Sequence, residues 1–143
     1  MKLFQSIKNR SFISKIIIVA STVYFTNLGL KYLYQSNDKL IEKEVIAMNE
    51  SLPLIIDEYT RLDSIALIDK KKVKIYYRLL KDELEDIDVE FFKDEMKPII
   101  LSNIKADDSN FFKKNNITMV YHYLDKNKDF VENVLITPKD YNQ

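Results

Sequence analysis

His122 is the only histidine of the chain, and it is followed by oxygen-bearing side chains at alternate positions. An imidazole is the side chain that most often transfers protons near neutral pH. The following residues Asp125, Asn127 and Asp129 have the spacing with which a calcium-binding loop begins. Proton transfer at His122 and cation binding in this loop are therefore the two chemistries to test against the pattern.

The alternation of a β-strand places His122 on the side opposite to Tyr121 and Tyr123, its neighbours in the chain. No serine or carboxylate is placed beside it by sequence, so the pattern does not indicate a general base with its partner. We therefore expect a solvated residue on the outer face of a strand. A small enzyme or ligand-binding module that uses His122 with nearby tyrosines is kept as the alternative.

The calcium-like loop fails at the two positions where the geometry is most demanding. Phe130 stands at the sixth position, where glycine is needed for the bend, and Ile136 stands at the twelfth, where a bidentate glutamate belongs. We therefore predict a hairpin turn and no metal site.

The composition excludes several classes of enzyme. The chain of 143 residues has no cysteine, so thiolate catalysis, cysteine-ligated zinc and disulfides are impossible. Gly29 is its single glycine, which excludes a Walker phosphate loop, a Rossmann fingerprint and a nucleophile elbow. The sequence therefore predicts a protein that is not an enzyme, with no cofactor and no small-molecule substrate.

Hydrophobic periodicity predicts an α+β fold, a small antiparallel four-stranded sheet with helices packed on one face. We expect strands at 60–69, 73–80, 117–124 and 130–137. A helix is expected from Val89 to Ala106, with Asp88 as its N-cap and a kink or break at Pro98. The core candidates on the two central strands are Val73, Ile75, Tyr77, Leu79, Ile117, Met119, Tyr121 and Tyr123. A short helical turn should follow, capped by Asp108, with Asn115 or Asn116 in the left-handed conformation.

The amino-terminal part is apolar and basic. Residues 12–34 are predicted to form an uncleaved transmembrane signal anchor, since the first 34 residues carry five basic side chains and no acid. By the positive-inside rule, residues 1–11 stay cytoplasmic, 35–51 form a juxtamembrane helix and 52–143 form a periplasmic α+β domain. This places the protein in a bacterial inner membrane as a single-pass protein. A cleaved leader that releases a secreted protein is the competing possibility.

Two surfaces of the chain are candidates for protein contacts. In the predicted membrane helix, one face carries the small residues Thr22, Thr26 and Gly29. Asn27 requires a hydrogen-bond partner inside the membrane. We therefore expect this helix to pack against another membrane helix as well as lipid. The acidic side chains Asp82, Glu83, Glu85 and Asp86 form a possible docking surface for a basic partner. The lysine-rich stretch at 70–74 is predicted to form a charged turn, and no nucleic-acid partner is expected.

The order of elements from about residue 52 to 141 resembles the periplasmic domain of the AspS-type pilotins of type II secretion systems. The matching stretches are "LP" at 52–53, "TRLDSI", "VKIYYRLL", "FFKDEMKPIILSNI", "NNI" and a final "ITPKDY". The resemblance implies an α+β domain that binds a helical segment of a secretin and escorts it to the outer membrane. Pilotins are lipoproteins, whereas this chain has no cysteine to lipidate. Family members also carry a cysteine pair, where this chain has Ile104 and Tyr141.

Together these features predict a non-enzymatic accessory or scaffold subunit of a bacterial membrane assembly. It would be held by its membrane helix and would bind protein subunits of that assembly through its periplasmic domain. A pilotin-like assembly factor for a secretion system is the alternative.

Overall fold

The computed structural model describes residues 37–143, which form an α+β fold around one mixed sheet. The helices are α1 (Asn37–Asn49), α2 (Val89–Ala106), α3 (Phe111–Lys114) and α4 (Pro138–Tyr141), with a 3₁₀ turn at Leu84–Asp86. The strands are β1 (Leu54–Ile55), β2 (Thr60–Asp69), β3 (Lys72–Leu79), β4 (Thr118–Leu124) and β5 (Phe130–Ile136). The predicted α+β class is confirmed.

The sheet has five strands in the order β1-β2-β3-β4-β5, and β3 and β4 run parallel. The prediction of four antiparallel strands is therefore wrong in strand number and in one direction. Residues 80–117 connect β3 to β4 through α2 and α3, and a connection of this length can carry the chain back so that the next strand runs the same way. The strand β1 has two residues, too few for an alternating pattern to reveal it.

The sheet buries one face against the helices. All eight core candidates of the two central strands are buried, as the alternation predicts. The helices α1 and α2 add apolar stripes at helical spacing to the same core: Ile41, Val45, Met48, Phe92, Met96, Ile100 and Ile104. The alternate residues of β3 and β4 lie on the opposite face and stay partly exposed.

Helix α2 begins and continues as its side chains dictate. The Asp88 carboxylate accepts a hydrogen bond from the Phe91 backbone N–H at 3.0 Å, which confirms the predicted N-cap. The helix runs through Pro98 without a break, and the alternative of a kink at this residue stays a prediction. Met96 and Ile100 are buried on either side of the proline. Burial of two such side chains gives roughly 3–6 kcal/mol, against about 3 kcal/mol for an interior proline.

The short helix α3 has a different cap from the one predicted. Asn110 caps it by accepting from the Lys113 backbone N–H at 2.9 Å, while Asp108 pairs with the Lys113 ammonium at 3.1 Å. The predicted cap at Asp108 is therefore wrong by two residues. Asn116 has φ of 53°, which confirms the left-handed residue expected at this end.

Asn49 fixes α1 to the edge of the sheet. Strand β1 pairs with only two residues of β2, Arg61 and Leu62. Beyond them the Asn49 side chain takes the place of a strand, since its Nδ2 donates to the Ile65 carbonyl at 2.7 Å and its Oδ1 accepts from the Ile65 N–H at 2.9 Å. The N–H and carbonyl of Ile65 are thereby satisfied although β1 does not extend to this position of β2.

Candidate functional site

The face of the sheet turned away from the core is the candidate site, and the strand register arranges it in three rows. Each row crosses β2, β3, β4 and β5 in that order, and we call these side chains the open face. The rows are Ala66–Lys74–Val120–Leu135, Ser64–Tyr76–His122–Asn133 and Arg61–Arg78–Leu124–Phe130.

His122 lies in the middle row of the open face, on the outer side of β4 that the alternation predicted. It packs against two aromatic rings, which the expectation of a solvated residue did not include. Its ring stacks on Phe130 with centroids 5.1 Å apart and meets the Tyr76 ring edge-on at 5.0 Å. Its Nδ1 is 2.7 Å from the Asn133 Oδ1. Within residues 37–143 its contacts are therefore two rings and an amide, which position the imidazole but supply no carboxylate to orient it for catalysis.

The tyrosines that flank His122 in the chain lie on the other face of the sheet. Tyr121 and Tyr123 are buried and stack on Tyr77 within the core. Burial and the neighbouring Tyr77 hold the pKa of both phenols well above the ordinary value of 10.0. They remain neutral and remote from the imidazole, so these two tyrosines cannot serve a site built on His122.

The β2–β3 side of the open face is basic. The Arg78 guanidinium and the Arg61 Nε both contact the Asp63 carboxylate, at 2.7 Å and 2.5 Å. The Lys74 ammonium lies 5.3 Å from the centre of the Tyr76 ring. Asp63 thus contacts two of these three cations, and we call Arg61, Lys74 and Arg78 the basic half of the open face. Lys72, which pairs with Asp69 and Thr118, continues this side of β3 beyond the three rows.

The β4–β5 side of the open face is apolar. Phe130 and Leu135 are 48% and 47% exposed, and Val120 and Leu124 beside them are partly exposed. We call these four residues the apolar half. The alternation of β5 could not have revealed it, because Phe130 and Leu135 are five positions apart and share this face only through the irregular pairing at Tyr123 and Leu124. Only the register joins them to the arginines.

The loop that resembles a calcium site is a hairpin turn held by Asp125. The buried carboxylate of Asp125 accepts from the backbone N–H groups of Leu84, Asn127 and Asp129 at 2.8–2.9 Å. Desolvation is the largest single effect and raises the pKa of Asp125. The three backbone hydrogen bonds and the Lys126 charge together lower it by more, so the pKa lies below the ordinary value of 3.8. The carboxylate is therefore occupied in joining the turn to the 3₁₀ segment. No group of three potential metal-ligating side chains is present among residues 37–143.

The acidic segment lies around the 3₁₀ turn, with Glu85 and Asp86 inside it. The Glu83 carboxylate forms an ion pair with Lys126 at 2.5 Å, and the Asp82 carbonyl accepts from the Lys126 backbone N–H at 3.1 Å. This part of the surface is thus tied to the β4–β5 hairpin. Its use as a docking surface stays a prediction.

Glu44 is a carboxyl buried in the core stripe of α1, beside Ile41, Val45 and Met48. It is 1% exposed, and within residues 37–143 neither of its carboxylate oxygens has a hydrogen-bond partner. Burial raises its pKa above the ordinary value of 4.5. A buried carboxylate without donors is costly, so this residue weakens the fold more when it is ionised.

The predicted membrane anchor at 12–34, with its packing residues Thr22, Thr26, Asn27 and Gly29, lies outside the residues that the structure describes. Among the helices of the described part, none combines the length and the apolar character that a bilayer crossing requires.

Comparison with known protein families assigns the chain to one of them. Residues 35–134 match the family described as a domain of unknown function, DUF8479. The chain belongs to this family. No curated protein matches the sequence.

Three solved structures share the fold at low sequence identity. A Pseudomonas aeruginosa protein, described as a candidate secreted protein, aligns with a TM-score of 0.60 and 10% identity, over 73% of this chain and 92% of that one. The pilotin EpsS of the Vibrio vulnificus type 2 secretion system gives 0.56 and 9%, over 73% and 91% of the two chains. The type II secretion pilotin AspS of Vibrio cholerae gives 0.53 and 12%, with the same coverage. The predicted pilotin-like fold is confirmed.

Proposed function

We propose that this chain is a pilotin-like assembly factor of a bacterial secretion system, without enzymatic activity. The observation that carries the proposal is the shared fold, which extends over 91% of the length of two secretion-system pilotins. A pilotin works by binding a protein, and the open face offers exposed apolar and basic side chains of the kind that protein interfaces use.

The test is the fate of the secretin in the same cell. A tagged full-length chain, expressed at its native level and solubilised in detergent, is expected to recover a secretin in a stoichiometric complex. Deletion of the gene is expected to lower the amount of secretin in the outer-membrane fraction, and a plasmid copy should restore it. Recovery of the chain alone, together with an unchanged secretin distribution in the deletion strain, contradicts the proposal.

We also propose that residues 12–34 anchor the chain in the inner membrane, with the amino terminus in the cytoplasm and the folded part in the periplasm. The support is the apolar segment preceded by basic residues. In this arrangement the chain would assist assembly from the inner membrane, whereas a lipidated pilotin would travel with its partner. Carbonate extraction should leave the chain in the membrane pellet, and protease added to spheroplasts should digest the carboxyl half. Sequencing of the mature amino terminus distinguishes the anchor from a cleaved leader.

A further inference from the structure

The charges of the folded part are separated toward the two ends of its strands. The β2–β3 turn and the residues beside it carry five lysines, which we call the basic end: Lys70, Lys71, Lys72, Lys74 and Lys114. The turn meets the end of α3, because the Lys71 ammonium donates to the Asn115 carbonyl at 3.0 Å. Asp38 pairs with Lys70 at 3.1 Å, and Asp69 accepts from a backbone N–H of the turn at 2.9 Å. Five lysines thus meet two carboxylates at this end.

The opposite end of the same strands is acidic. Residues 81–88 follow β3 and residues 125–129 follow β4, and the Leu84 N–H joins the two segments by donating to the Asp125 carboxylate at 2.8 Å. Seven acidic side chains of these segments form the acidic end: Asp82, Glu83, Glu85, Asp86, Asp88, Asp125 and Asp129. The lysines of the same segments are Lys81, Lys126 and Lys128. The 8 residues of β3 hold the two ends about 25 Å apart, well beyond the screening length of about 8 Å in physiological salt.

The described part of the chain begins at the basic end. Asp38, in the first turn of α1, pairs with Lys70 in the β2–β3 turn. Asn49, the last residue of α1, bonds to the backbone of Ile65 in β2. The helical rise between the two contacts and the strand rise between their partners are both about 16 Å. Helix α1 therefore lies along β2 with its amino end at the turn.

The position of this helix end restricts how the folded part can sit on a membrane. The apolar segment proposed as the anchor ends at residue 34, and α1 begins three positions later at Asn37. Three residue steps span at most about 11 Å. This reach brings the basic end to the membrane surface, whereas the acidic end is about 25 Å farther along the strands.

We propose that the basic end docks on the anionic phospholipid headgroups of the membrane that holds the anchor, with the acidic end directed away from the bilayer. This inference rests on the proposed anchor and goes beyond it, because it specifies the surface of the folded part that meets the lipid. Each lysine close to an anionic membrane favours docking by about fivefold. Ile68, which is 51% exposed next to the turn, adds an apolar side chain to this contact.

The absence of cysteine permits a direct measurement of the orientation. Ile68→Cys places one thiol beside the basic end, and Asn127→Cys places one at the exposed tip of the β4–β5 turn, both without a change of charge. Each dye-labelled full-length variant is reconstituted as one copy per nanodisc, in phosphatidylcholine and phosphatidylglycerol with acceptor-labelled headgroups. Single-molecule energy transfer should be strong from the label at position 68 and weak from the label at position 127. Equal transfer from the two labels overturns the proposal.

The charge of the lipid separates docking from tethering alone. In nanodiscs of phosphatidylcholine only, or at high salt, the ratio of docked to undocked molecules is expected to fall at least about tenfold, because the attraction is electrostatic. An equal ratio in neutral and anionic nanodiscs overturns the proposal. Salt-dependent dimers in detergent, lost when Lys70 and Lys114 are replaced by glutamine, would place the acidic end of a second copy on this surface and overturn it as well.

Two matched double variants at exposed lysines locate the contact. Lys70→Gln with Lys114→Gln removes two charges of the basic end and should lower the docked-to-undocked ratio about 25-fold, at about fivefold for each lysine. Lys81→Gln with Lys128→Gln removes the same charge at the acidic end and should leave the ratio within about twofold. An equal loss in both double variants, or no loss in the first, contradicts the assignment. Circular dichroism confirms that each variant is folded.

Incorporation of the chain separates this inference from the proposed anchor. A chain that stays outside the nanodiscs and leaves the membrane on carbonate extraction contradicts the anchor, and the inference fails with it. An incorporated chain whose two labels transfer equally keeps the anchor and refutes only the docking of the basic end. The pilotin-like role is tested by the fate of the secretin and depends on neither result.

Discussion

Replacement of Glu44 by methionine is expected to stabilise the fold at pH 8, because it removes a buried carboxyl whose oxygens meet no donor in the part of the chain that the structure describes. Methionine has a similar length, adapts its shape to an existing space and suits the apolar stripe of α1. A buried polar group without a partner costs about 1–3 kcal/mol, and more when it is charged. We therefore expect the free energy of unfolding at pH 8 to rise by about 1–3 kcal/mol, or roughly 4 °C in melting temperature per kcal/mol.

The pH dependence follows from the raised pKa of Glu44. Its folded pKa lies above the unfolded value of 4.5, so the folded state holds the proton more tightly than the unfolded state. The fold therefore loses stability as the pH rises from about 4.5 through the raised pKa, and the loss then stays constant. Methionine cannot ionise, so its advantage should be smaller near pH 4.5, where only the cost of a neutral buried carboxyl is removed, and largest at pH 8.

The assay is thermal unfolding of the full-length chain, followed by circular dichroism in one detergent between pH 4.5 and 8. Glu44→Gln should remove this part of the pH dependence while keeping a buried polar group, and Glu42→Met, at an exposed position of the same helix, should change stability by less than about 0.5 kcal/mol. Two results refute the reasoning: a loss of stability in Glu44→Met at pH 8, or a gain that is the same at pH 4.5 and pH 8.

Three further substitutions test other contacts. Asn49→Ala removes both hydrogen bonds to Ile65 and should lower the free energy of unfolding by about 1–3 kcal/mol in chemical denaturation, whereas Glu50→Ala at the neighbouring exposed position should have little effect. Asp125→Ala should lower the melting temperature more than Asp129→Ala, since the Asp125 carboxylate holds three backbone N–H groups. The stability that Asp125 contributes above pH 3.8 should be lost as the pH falls through its lowered pKa. Equal melting temperatures of the two variants contradict this role of Asp125. Tyr141→Phe removes the bond from the phenol to the Ile117 carbonyl and should cost about 0.5–1.5 kcal/mol. Burial raises the pKa of Tyr141 to about 12, so the same variant should lose a late component of the alkaline absorbance titration, and an unchanged titration above pH 11 contradicts this placement.

The candidate site could be predicted only in part. The strand pattern placed His122 on the outer face and showed that the loop after it lacks the glycine and the glutamate of a calcium site, because both are properties of neighbouring residues. The pattern did not reveal that Arg61 and Arg78 share the Asp63 carboxylate, since that contact depends on how β2 pairs with β3. The acidic segment at 82–86 and the membrane-helix face remain predictions.

Residue types and their local spacing are enough to establish which catalytic sites the chain cannot build and which side chains of its central strands are buried. The absence of cysteine and the single glycine exclude whole classes of catalytic site, and alternation along β3 and β4 assigns the buried residues, because both depend on residue type and local spacing. The tertiary structure decided the parallel pairing of β3 with β4, the cover of Asn49 over the β2 edge and the burial of Glu44. These features join residues that are distant in the chain, and no local periodicity records which distant segments meet.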